Sequence, residues 1–86
     1  MKRPQILSFV RQSILSINPD LSPDDISESS SLTQDLSFDS LRLEALIASL
    51  KEELCNLEFT PWYVRASRRG QDTIGSLVDF IQERQS

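Results

Sequence analysis

The chain reads as an all-α protein: a four-helix bundle of three long helices and one short third helix, with a long loop between helices 1 and 2. Three observations predict this. Apolar residues recur at three- and four-residue steps in three separate stretches. There are only two glycines, and β-branched residues nowhere alternate with polar ones over a useful length, which argues against a sheet. The 86 residues make one domain, spanning 1–86, and at that size a bundle with mostly local contacts buries a core economically.

The first helix is predicted from Pro4 to Ile17. Proline suits its first position, where a missing N–H costs nothing. Ile6, Leu7, Val10, Ile14 and Ile17 form the stripe and Phe9 broadens it. Asn18-Pro19 ends it, because a residue before proline is pushed out of the α region.

Residues 18–38 form a connection of a length that compact domains rarely keep without a function or local structure. Ser22-Pro23-Asp24-Asp25 reads as a cap, a first-position proline and two acids, hence a short helical turn. Leu21, Ile26, Leu32 and Leu36 are expected to pin the loop to the bundle, and Ser29-Ser30-Ser31 to be solvated.

The second helix is predicted to begin near Asp39 or Ser40 and to run to about Leu54–Asn56, with Leu43, Leu46, Ile47, Leu50, Leu54 and Leu57 as its stripe. At about 100° per residue, Ser40 falls at the edge of that stripe and shares its side with Glu44, Ile47, Ala48 and Lys51. A hydroxyl at this junction sits at the positive end of the helix dipole, beside free backbone N–H groups, a place suited to a phosphate ester. Serine there equally suits an N-cap, and the two roles can coexist.

The third helix is short. Thr60 reads as its N-cap, Pro61 as its first position and Gly70 as its C′ residue. Arg65, Arg68 and Arg69 fall toward the negative end of its dipole. Trp62 and Tyr63 read as core and rim. The fourth helix starts after Asp72 or Thr73 and runs toward Arg84, with Ile74, Leu77, Val78 and Ile81 as its stripe and Phe80 at its side.

Composition narrows the chemistry. There is no histidine, which removes a Ser-His-Asp triad, a Cys-His dyad and most zinc sites together. Cys55 is the only cysteine, so an intramolecular disulfide and a thiolate metal cluster are excluded. It reads as a small packing residue near the end of the second helix, and a lone thiol fits a reducing cytoplasm. The apolar run Ile6–Val10 after Lys2 and Arg3 is too short for a signal peptide, and no segment approaches the roughly 20 apolar residues of a membrane span.

The net charge of −4 conceals an asymmetry. Residues 1–19 carry +3, residues 20–58 carry −8 from ten acids against Arg42 and Lys51, and residues 59–86 carry +1. Such a middle repels nucleic acid and attracts partners with basic surfaces, mainly through association rate.

Phe38-Asp39-Ser40-Leu41 resembles the G-F-D-S-L motif of the acyl carrier protein family, in the form common in polyketide-type carriers. Asp72-Thr73-Ile74-Gly75-Ser76-Leu77 is similar to the T-V-G-D-L pattern that opens the last helix of that family. Together with the element order, the resemblance covers nearly the whole chain. It implies a non-enzymatic carrier, with no catalytic and no metal-ligating residues of its own. A phosphopantetheinyl transferase would attach 4′-phosphopantetheine to Ser40 using coenzyme A and Mg²⁺, with Asp39 positioning metal and phosphate. Acyl-loading and acyl-processing enzymes would meet Leu41, Glu44, Ala48 and Lys51, and an acyl chain would tuck against Ile47, Trp62 and Val64. A cytoplasmic monomer is expected. Two alternatives stay open: a peptidyl, aryl or D-alanyl carrier using the same serine, and an unmodified carrier-like interaction module. The chain departs from the pattern at Ser37, where glycine is usual, at Arg42, where fatty-acid carriers have an acid, at Ala45 and Lys51, which replace glutamates, and in its aromatic, basic third helix. These departures point to a specialised polyketide or lipid-like pathway rather than housekeeping fatty acid biosynthesis.

Overall fold

In the computed structural model, which describes residues 2–54, 57–68 and 71–85, four α-helices follow one another: α1 (Arg3–Ile17), α2 (Ser40–Glu53), α3 (Thr60–Ala66) and α4 (Ile74–Gln85). Cys55, Arg69 and Gly70 lie outside the described residues. Helix α1 packs against both α2 and α4. It begins one residue earlier than expected, so Pro4 takes its second position, and the Lys2 N–H donates to Gln5 Oε1 at 2.9 Å. The expected stripe is the observed one: Ile6, Val10 and Ile14 are fully buried, with Leu7, Phe9 and Ile17 packed at its margin. Ser13 is buried among them.

The connection 18–38 is the main surprise. It contains the expected turn, a 3₁₀ segment over Pro23–Asp25 capped by Ser22, and Ile26, Leu32 and Leu36 are buried as expected. The expectation that Ser29-Ser30-Ser31 is solvated fails for two of the three, since Ser30 and Ser31 are buried. Their hydroxyls are satisfied internally: Ser30 Oγ donates to the Asp25 carbonyl and Ser31 Oγ to Asp72. An isolated β-bridge pairs Ser31 with Thr73, so the loop is joined to the segment entering α4. On the other side, Arg11 of α1 donates from its guanidinium to the Ile26 carbonyl at 3.1 and 3.2 Å. The loop is thus a structural layer with polar groups paired, as burial demands.

The fourth helix starts after Thr73, as expected. Asp72, just ahead of it, accepts from Ser31 Oγ at 2.8 Å, from the Thr33 N–H at 2.9 Å and from the Thr33 hydroxyl. Burial on its own would raise this carboxyl; the bonds from Thr33 and Ser31 outweigh it and hold the pKa below the ordinary value. The start of α4 is closed by Thr73, whose Oγ1 accepts from the Ser76 N–H. Gly75 then lies against the loop, its N–H 2.8 Å from the Glu28 carbonyl.

Helix α3 also starts differently from expectation. Thr60 is its first residue, not its cap, and Phe59 holds the cap position without a side-chain bond. The Glu58 carboxylate takes over, accepting from the Thr60 hydroxyl at 2.6 Å and the Thr60 N–H at 3.0 Å. Those two bonds, with Lys51 nearby, hold Glu58 below its ordinary pKa. The helix ends at Ala66, so Arg65 lies in its last turn while Arg68 lies beyond it. Trp62 is buried and donates from Nε1 to Ser76 Oγ at 3.1 Å, fastening α3 to α4. Phe80, expected at the side of the α4 stripe, is fully buried against Phe59, with ring centroids 5.6 Å apart.

Candidate functional site

The approach to α2 is built by a tight run of loop bonds. Asp35 and Leu36 donate to the Ser31 carbonyl, and Phe38 donates to the Leu32 carbonyl at 2.8 Å. Ser37 adopts φ 58°, the left-handed region that glycine enters without cost. The geometry that glycine serves is therefore kept here by a serine. The turn drives the Phe38 ring into the core and leaves Asp39 extended and exposed.

Asp39 is the N-cap of α2. Its Oδ1 accepts from the Arg42 N–H at 2.9 Å, while its Oδ2 has no partner among the described residues. Ser40 is accordingly the first helical residue and not the cap, which corrects one of its two expected roles. Its side chain is exposed and its hydroxyl makes no hydrogen bond among the described residues. The Ser40 and Leu41 N–H groups likewise find no acceptor there, as the first turn of a helix dictates. An exposed hydroxyl, two open donors and the positive end of the dipole suit a phosphate ester on Ser40.

The remaining predicted site residues are placed as follows. Leu41 is 76 % exposed beside Ser40. Glu44, Ala48 and Lys51 are exposed along the same flank of α2. Ile47 and Val64 face a groove of about 500 Å³ between α2 and α3. Trp62 does not share it; it lines a separate chamber of about 240 Å³ whose rim includes Ser40. The three expected pocket residues therefore divide between two spaces, and Tyr63 borders both. Thr33, Gln34, Arg68 and Asp72 also line the chamber and were not foreseen as site residues. No local pattern marks them, because the seam between loop and α4 is what brings them beside Ser40.

Among the described residues no group of acids or cysteines is arranged to hold a metal ion, and no helix is long and apolar enough to cross a membrane. No family model and no solved structure matches the chain. It is 39 % identical over 66 residues to an acyl carrier protein of Chlamydia muridarum, a match covering 77 % of this chain and 79 % of that relative. With the four helices in order and a serine opening α2, the chain belongs to the acyl carrier protein family.

Proposed function

We propose that the chain is an acyl carrier and not an enzyme, and that Ser40 is the attachment point of a covalent 4′-phosphopantetheine arm. The observation that carries this reading is the division of labour at the start of α2. Asp39 satisfies the cap, so the Ser40 hydroxyl stands exposed and unengaged where phosphate is favoured. When bound, the arm supplies a terminal thiol that holds an acyl group as a thioester. Ser40 would anchor it, with its own N–H and that of Leu41 open to phosphate oxygens, and the free Oδ2 of Asp39 would be available to the metal used in attachment. Tethering raises the effective concentration of cargo at each partner without a tight interface.

Leu41, Glu44, Ala48 and Lys51 form the face that a phosphopantetheinyl transferase and acyl-loading and acyl-processing enzymes meet. Exposed Arg42, with Arg65 in the last turn of α3 and Arg68 just beyond it, sets this face apart from a uniformly acidic one and supports a specialised polyketide or lipid-like pathway. We place the protein in the cytoplasm as a monomer. The test is intact mass after incubation with coenzyme A, Mg²⁺ and a broad-specificity transferase. One phosphopantetheine should be gained by the wild type and none by Ser40→Ala. No gain with several active transferases would leave only an unmodified interaction module. Loading with acyl, aryl and aminoacyl donors then assigns the class of cargo.

A further inference from the structure

Ser40, at the start of α2, and Arg68, just past the end of α3, line the same chamber of about 240 Å³. Among the described residues Arg68 is the only basic one in that lining. Its backbone is fixed although it lies outside the helix. Its N–H donates to the Arg65 carbonyl at 3.0 Å, and its carbonyl accepts from the Gln71 N–H at 3.1 Å. Its side chain is exposed and has no hydrogen-bond or ion-pair partner among the described residues. Three other arginines are engaged within the fold: Arg3 pairs with Glu28 and Asp79, Arg11 donates to the Ile26 carbonyl, and Arg84 lies over the Phe80 ring. Arg42 and Arg65 do not line the chamber. The acid in the lining is Asp72, whose carboxylate accepts from Ser31 Oγ, the Thr33 N–H and the Thr33 hydroxyl and makes no ion pair with Arg68.

We propose that Arg68 is a ligand for the phosphate of an arm attached to Ser40, so that modification ties the end of α3 to the start of α2. This rests on the carrier reading above. A phosphodiester is anionic at neutral pH and keeps a pair of non-bridging oxygens. A guanidinium presents its N–H donors in a planar fork that matches such a pair, and bonds of this charge-assisted kind are about twice as strong as neutral ones. The start of α2 offers the helix dipole and the open N–H groups of Ser40 and Leu41, which are partial charges only. The surroundings otherwise oppose another anion, because residues 20–58 carry −8 and Asp39 adjoins the serine. Arg68 is the full positive charge placed to offset it. Asp72 competes for the same guanidinium, but Ser31 and Thr33 already engage its oxygens, whereas those of the phosphate would have only the two open N–H groups.

The experiment modifies the full chain with a phosphopantetheinyl transferase, coenzyme A and Mg²⁺, confirms one added arm by intact mass, and records the phosphorus and arginine Nε–H NMR signals. The Arg68 signal is identified by its loss in Arg68→Gln. In the wild type it should shift between the unmodified and modified chains, while that of Arg65, which does not line the chamber, stays in place. The phosphorus signal of the folded, modified wild type should differ from that of the same chain unfolded in urea. Arg68→Gln should move it part of the way back to the unfolded position, Arg68→Lys, which keeps the charge but loses the fork, should fall between, and Arg65→Gln should leave it unchanged. Absence of any mass gain in the wild type overturns the carrier reading and this inference with it. A modified wild type in which the Arg68 signal does not move, or a phosphorus signal that is the same in wild type and Arg68→Gln, overturns this inference alone. The wild-type comparison decides the matter even if the transferase rejects Arg68→Gln, since the unmodified variant suffices to identify the signal.

Discussion

Ser37 and Asp39, on either side of the buried Phe38, set the geometry that frees Ser40. Ser37 carries a left-handed backbone costing about 1–2 kcal/mol. Replacing it with glycine removes that cost but adds about 0.5–1 kcal/mol of unfolded-chain entropy. Ser37→Gly is therefore expected to stabilise by up to about 1.5 kcal/mol in urea unfolding. Asp39→Ala should cost about 0.5–2 kcal/mol as a lost cap. Ser40→Ala should stay within about 0.5 kcal/mol of wild type, since no bond is removed. The sequence made Ser40 visible through its position before an apolar stripe. It did not reveal which of two adjacent cap-forming residues would close the helix, because that depends on the backbone angle set at Ser37.

At the scale of elements, the seam between the long loop and α4 governs the site. A Cβ at residue 75 would stand 2.9 Å from the Glu28 carbonyl oxygen, a backbone atom that cannot swing aside. Gly75→Ala should destabilise by about 1–3 kcal/mol in thermal or chemical melts. Asp72 gives the seam a pH dependence. Its folded pKa lies below the ordinary 3.8, so between the two values the folded state binds fewer protons than the unfolded chain. The Asp72 contribution is complete above that ordinary value and is lost as pH falls through the lowered one. Asp72→Asn should cost about 1–3 kcal/mol at neutral pH, and its gap from wild type should shrink as the solution is acidified below pH 3.8. The helices themselves were legible from periodicity, and the loop's anchors from Ile26, Leu32 and Leu36. The buried serines were not. Their partners, Asp25 and Asp72, are identified only once the loop has folded back, and an isolated bridge leaves no alternating pattern to read.

Over the whole molecule, Arg3 at the start of α1 pairs with both Glu28 of the loop and Asp79 of α4, joining three regions at the surface. These pairs are exposed, so screening keeps their contribution small, and the burial of α1 against α2 and α4 holds the bundle together. The larger electrostatic effect is the −8 of residues 20–58, which acts at a distance. Modification by a transferase should slow as the screening length contracts from about 30 Å at 0.01 M salt to about 8 Å at 0.15 M. A salt-independent initial rate would show that this charge does not steer the encounter. Composition revealed this term in full, whereas the two spaces beside α3 required knowing that Trp62 binds Ser76 rather than facing Ile47.

Because Asp39 rather than Ser40 closes α2, the helix and the exposed face beside it are indifferent to what happens at the hydroxyl. On the proposed function, a Ser40→Ala chain is thus a decoy: it keeps the exposed face beside α2 and lacks only the hydroxyl proposed to be modified. Mixed with the wild type, it should slow modification in proportion to its concentration, as a dead-end competitor rather than a bystander.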